Sequence, residues 1–100
     1  MAYRINYSRV ISQANQIANY AKDLSAQINA LTALEQNCRS AWQGEAAAAF
    51  LAKVSAMKAE LTRTRSRIDN LATTIRSVAE RIRREEEELA ARAAALRTGK

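Results

Sequence analysis

One tripeptide, Trp42-Gln43-Gly44, interrupts a chain of 100 residues that otherwise reads as helix from end to end. It holds the only Trp, and its Gly is one of two, the other standing beside the C-terminus at Gly99. Pro is absent, so nothing else along the chain removes a helical hydrogen bond or forces a kink. Gly gives the backbone freedom to turn. The midpoint is therefore where a long helix folds back on itself.

Each side of that point carries its own heptad stripe. Along the first arm apolar residues recur at alternating steps of three and four: Tyr7, Val10, Ala14, Ile17, Ala21, Leu24, Ile28, Leu31, then Cys38 and Trp42. Glu35 is the one misfit. Such steps keep side chains on one narrow seam, because a repeat of about 3.5 residues matches two helical turns. Asn6 or Ser8 is placed to cap the arm, since a short polar side chain takes up a free backbone amide there. On the second arm, stepping by seven from Ala47 gives Val54, Leu61, Ile68, Ile75, Ile82, Leu89 and Leu96, all apolar. The companion row reads Phe50, Met57, Thr64, Leu71 and Val78, then fails at Glu85 and Arg92.

The double seam thus stops near Ile82. If the chain reverses at Gln43 and Gly44, facing residues have numbers adding to roughly 88, given equal rise in both helices. Tyr7 then faces the region of Ile82, so the first arm runs out where the second loses its double row. The expected organisation is one helical-hairpin domain over 1–100. Arm one covers about 6–40, the turn about 41–45 and arm two about 46–97, with a C-terminal overhang at about 83–100. The overhang, rich in Arg, Glu and Ala, can stay helical without packing.

The seam residues expected to hold the hairpin and a dimer are Ile17, Leu24, Ile28 and Leu31 with Phe50, Val54, Leu61, Ile68, Leu71 and Ile75. Two helices touching along one line leave every seam side chain open on its outer flank, and a chain this short is marginal alone. Ile11, Ala18 and Leu34 on the first arm, with Leu51, Ala72 and Ala79 on the second, widen the stripes. The fold class is accordingly all-α: an antiparallel helix-turn-helix hairpin that dimerises into a four-helix bundle.

Composition narrows the function. There is no His, which removes the usual general base and metal ligand. The acidic residues cluster only at Glu85 to Glu88, so a catalytic carboxylate pair has no location. The chain reads as a non-enzyme without metal, cofactor or small-molecule substrate. Cys38, the single cysteine, lies on the apolar stripe and reads as a small core residue. No stretch is long enough to span a membrane, and Met1-Ala2-Tyr3-Arg4-Ile5-Asn6 lacks the apolar core of a secretory signal. A net charge of +6 and a pI of about 10.1 raise one rival, a basic nucleic-acid-binding or structural coiled-coil protein. Lys58, Arg63, Arg65, Arg67, Arg76, Arg81, Arg83 and Arg84 concentrate charge on the second arm. They scatter around it without interleaved aromatics, which argues for a solvated face and against nucleic acid as the partner. Membrane insertion would require the seams to come apart.

Trp42-x-Gly44 in the turn, Ala46 and Phe50 after it, and two Pro-free arms in about one hundred residues resemble the small WXG, or ESAT-like, proteins secreted by type VII systems of Gram-positive and mycobacterial bacteria. The resemblance spans essentially the whole chain. It implies a protein made in the bacterial cytoplasm and exported folded, without a general signal peptide, as a substrate or co-secreted binding partner. It also implies a homodimer, or a heterodimer with a sister hairpin, read at its C-terminal end by a membrane-bound ATPase. The family's export signal, Tyr-x-x-x-Asp or Tyr-x-x-x-Glu, is missing, because Tyr3, Tyr7 and Tyr20 all lie in the first arm. That departure leaves a partner to supply the missing half of the signal. A looser pattern of apolar, acidic, apolar, apolar fits Ile82, Glu86, Leu89 and Ala93.

Overall fold

The computed structural model describes residues 5–98, which form two helices: α1, Tyr7–Ala41, and α2, Glu45–Thr98. Met1 to Arg4, read above for a secretory signal, and the last two residues of the overhang lie outside the described residues. Asn6 is the residue that caps α1, its side-chain oxygen accepting from the Arg9 amide at 3.2 Å. Ser8 falls inside the first turn. The helices run antiparallel, as the pairs across them show: Ile5 with Glu86, Tyr7 with Glu80, Asn15 with Arg76, Ser25 with Arg65 and Glu35 with Lys58. Every pair straddles the turn at nearly equal distance along the two arms. The result is a rod of 84 × 16 × 16 Å, its length set by the 54 residues of α2.

The interior of this rod is made of small side chains. Ala14 and Ala21 of α1 and Ala47, Val54, Ala72 and Ala79 of α2 are the buried apolar residues. Alanine lets helix backbones approach closely, so the arms nest with little bulk between them. Ile17, Leu24, Ile28, Leu31, Leu61, Ile68 and Ile75 are half-buried, forming the margins of the contact.

On α2 the line of contact passes between the row from Ala47 to Ile82 and the row Leu51, Lys58, Arg65, Ala72, Ala79 and Glu86, not along the companion row read from the sequence. Phe50 and Leu71 therefore do not lie between the arms: they are 38% and 51% exposed, and Met57 and Val78 share their row on the open side. The physical reason is bulk and pairing. Ala72 and Ala79 permit close approach, while Lys58, Arg65 and Arg76 on this side all find oxygen acceptors on α1.

Glu35, the misfit in the first stripe, is buried at 8% exposure and accepts from Lys58 Nζ at 2.7 Å. A buried carboxylate is tolerated when a cation neutralises it. This pair also fixes register, since a slip of the arms would strand the carboxylate.

Candidate functional site: the turn and an open apolar face

At the turn each residue has a separate task. Trp42 leaves helical geometry at φ −141° and ψ 128°, and its amide donates to the Cys38 carbonyl at 2.9 Å, closing the end of α1. Gly44 sits at φ +110°, a backbone conformation that costs any residue with a Cβ. Its carbonyl accepts from the Ala48 amide at 3.0 Å and so begins α2. Glu45 places a carboxylate in the first turn of that helix, where the helix dipole favours negative charge. The space around Gly44 is open, with no atom within 4 Å of where a Cβ would stand, so its role is conformational rather than one of close approach. The Trp42 ring meets Phe50 with centroids 5.9 Å apart and planes tilted by 49°. Trp42 remains 46% exposed, so the ring pair caps the rod from the side and leaves much of the indole uncovered.

The hairpin has two unlike faces. Both arms are right-handed and antiparallel, so residues three positions beyond the buried rows point to the same side in each arm. On that side lie Val10, Ile17, Leu24, Leu31 and Cys38 of α1 and Phe50, Met57, Thr64, Leu71 and Val78 of α2. Tyr20 and Leu34 extend the surface outward, and both are exposed. The opposite side is polar and closed by bonds between the arms. There Arg76 reaches Asn15 at 2.8 Å, Arg65 reaches Ser25 at 3.5 Å, and a shallow groove lies between Ser25, Ile28, Asn29, Thr62 and Arg65.

At the far end a polar cluster fastens the start of α1 to α2. The Tyr7 hydroxyl donates to Glu80, Arg83 donates to the other Glu80 oxygen at 3.3 Å, and the Arg83 guanidinium lies 4.3 Å over the Tyr7 ring centroid. The hydrogen bond from Tyr7 holds the Glu80 carboxyl below its ordinary range against the opposing effect of burial, with the charges of Arg83 and Arg84 adding to the lowering. The same bond, with burial and the Glu80 charge, pushes the Tyr7 phenol up against the opposing pull of Arg83. Glu86 accepts from the Ile5 amide at 2.8 Å. Of the four residues of the looser export pattern, Ile82 and Glu86 are thus half-buried at the end of the hairpin, while Leu89 and Ala93 are exposed on the projecting helix.

The Glu35–Lys58 pair was not singled out in the sequence. A signal for it existed: each is a charged residue in a heptad row that the structure buries, and the two stand at nearly equal distance from the turn.

The fold and its bend define a class, a small all-α hairpin of two unequal helices turned on Trp-x-Gly. Within that class the chain belongs to the WXG100 family, proteins of 100 residues with WXG, whose family model matches residues 2–87. No curated protein and no solved structure matches it. Among the described residues no helix is long and apolar enough to cross a membrane.

Proposed function

We propose that the protein is a secreted, non-enzymatic interaction module of a type VII secretion system, pairing through its open apolar face with a second hairpin to complete a four-helix bundle. The observation that carries this reading is the inversion of bulk. The chain places alanines between its own arms and leaves Phe50, Met57, Leu71 and Val78 in a row on one side. Fully covering a side chain of this size contributes roughly 1.5–3 kcal/mol, and an exposed apolar row, interrupted here only by Thr64, marks a docking surface. Membership of the family supports the secretory setting, export without a general signal peptide, and recognition by the secretion ATPase. For that recognition the end of α2 is the segment assigned, from Ile82 and Glu86 at the end of the hairpin to Leu89 and Ala93 on the projecting helix. A nucleic-acid-binding role has no comparable support, since the basic residues of α2 scatter around the helix without interleaved aromatics.

The test separates the face from the fold. Leu71→Asp should leave helix content high and convert the associated protein to a monomer of 11.1 kDa by light scattering. Ala72→Asp, one residue on but between the arms, should unfold the hairpin itself. A wild-type protein that stays monomeric and folded at high concentration would refute the bundle.

A further inference from the structure

The residues assigned to recognition, Ile82, Glu86, Leu89 and Ala93, follow one another at steps of four, three and four and so form a stripe on one face of α2. The hairpin cuts that stripe in half. Leu89 and Ala93 are exposed, whereas Ile82 and Glu86 are half-buried where α1 begins. Glu86 accepts from the Ile5 amide at 2.8 Å, and Ile82 lies along α2 between it and Glu80, which the Tyr7 hydroxyl holds. A partner that reads the whole stripe therefore finds the first turn of α1 in its way.

That turn is weakly built. Beyond the Asn6 cap it has no acidic residue to answer the helix dipole, and it carries Arg9, a cation at the positive end. What fastens it is the bond from Tyr7 to Glu80 and the Arg83 guanidinium 4.3 Å over the Tyr7 ring. The closed arrangement leaves Arg83 Nε buried without an acceptor among the described residues, which disfavours it. The next bond inward, Arg76 to Asn15 at 2.8 Å, lies about two turns further along α1. One turn can thus open while the hairpin holds.

We infer that the first turn of α1 is a lifting cover over the recognition stripe: closed, it hides Ile82 and Glu86, and the secretion ATPase engages the whole stripe only when the turn has lifted. The inference rests on the recognition role proposed above and adds its regulation. When binding needs a state that is populated only in part, the apparent affinity falls by that fraction. A hydrogen bond to a carboxylate together with a ring contact favours the closed form over the open one by about tenfold. Loosening the cover tightens binding, the reverse of what the loss of a merely structural contact would do.

Isothermal titration of the full chain with the purified secretion ATPase reads the outcome, after circular dichroism has established that each variant is helical. Tyr7→Ala removes both the hydroxyl bond and the ring contact and should bind about tenfold tighter than the wild type. Tyr7→Phe keeps the ring over Arg83, loses only the hydroxyl bond and should bind about threefold tighter; it carries the test if Tyr7→Ala does not fold. Leu89→Asp, outside the cover, should weaken binding by about tenfold or more, since it sets a charge against an apolar contact. Affinity unchanged or reduced in the Tyr7 variants, with Leu89→Asp still weakening it, would overturn the cover while leaving the recognition role intact. Binding indifferent to Leu89→Asp, or absent from every chain, would overturn the recognition role and this inference with it.

Discussion

Gly44 and Glu35 show at the level of single residues how local chemistry sets the fold. Gly44 was legible in the sequence as the bend, but its surroundings were not: its Cβ position is free, so only backbone strain penalises a larger residue. Gly44→Ala should therefore cost about 1–2 kcal/mol, read as a fall in thermal midpoint with helix content unchanged. An unchanged midpoint would mean that the turn readjusts without strain. Glu35 could not be read from its stripe, because an acidic residue in an apolar row makes sense only once Lys58 arrives from the other arm. Glu35→Ala should remove about 2 kcal/mol, since the Lys58 ammonium loses its partner in a half-buried site. The double change Glu35→Leu with Lys58→Met should recover most of that loss, as apolar replacements of buried ion pairs commonly do. Denaturant midpoints of the three proteins check both statements.

The helices as elements explain which parts of the fold the sequence disclosed. The row from Ala47 to Ile82 is unbroken and was readable as a contact line. The side to which that line leans was not, because Phe50, Met57, Leu71 and Val78 are more apolar than Leu51, Lys58, Arg65, Ala72 and Ala79, and hydrophobicity alone favours the former. Close approach through alanine and the bonds of Lys58, Arg65 and Arg76 to α1 decide the matter, and neither is visible without the facing helix. The projecting end of α2 was legible from the failure of the companion row at Glu85 and Arg92. Its true limit is Glu86, which still accepts from the Ile5 amide. Residues 87–97 are all exposed, so deleting residues 87–100 should leave the thermal midpoint nearly unchanged while abolishing export or ATPase binding. A large fall in the midpoint would show instead that the segment is structural.

For the whole molecule, the cluster of Tyr7, Glu80 and Arg83 makes stability depend on pH at both extremes. The Glu80 carboxyl lies below its ordinary value of 4.5, so its contribution is full above that value and is lost as pH falls through the lower folded value. The Tyr7 phenol lies above 10.0, so its contribution is full below that and is lost as pH rises through the higher folded value. Amide protection in the first turns of α1, taken as exchange relative to the unstructured rate at the same pH, should be highest on the plateau between these limits and fall on either side, and Tyr7→Phe should flatten the alkaline limb. Insensitivity of wild-type protection to both extremes would count against the cluster as a clasp. The shape of the molecule has its own consequence in solution. A body 84 Å long and 16 Å across has an axial ratio of about five, and such a rod drags far more solvent than a sphere of equal mass. Even a single chain should tumble slowly and emerge early from a gel-filtration column, in the volume expected of a compact protein considerably heavier than 11.1 kDa.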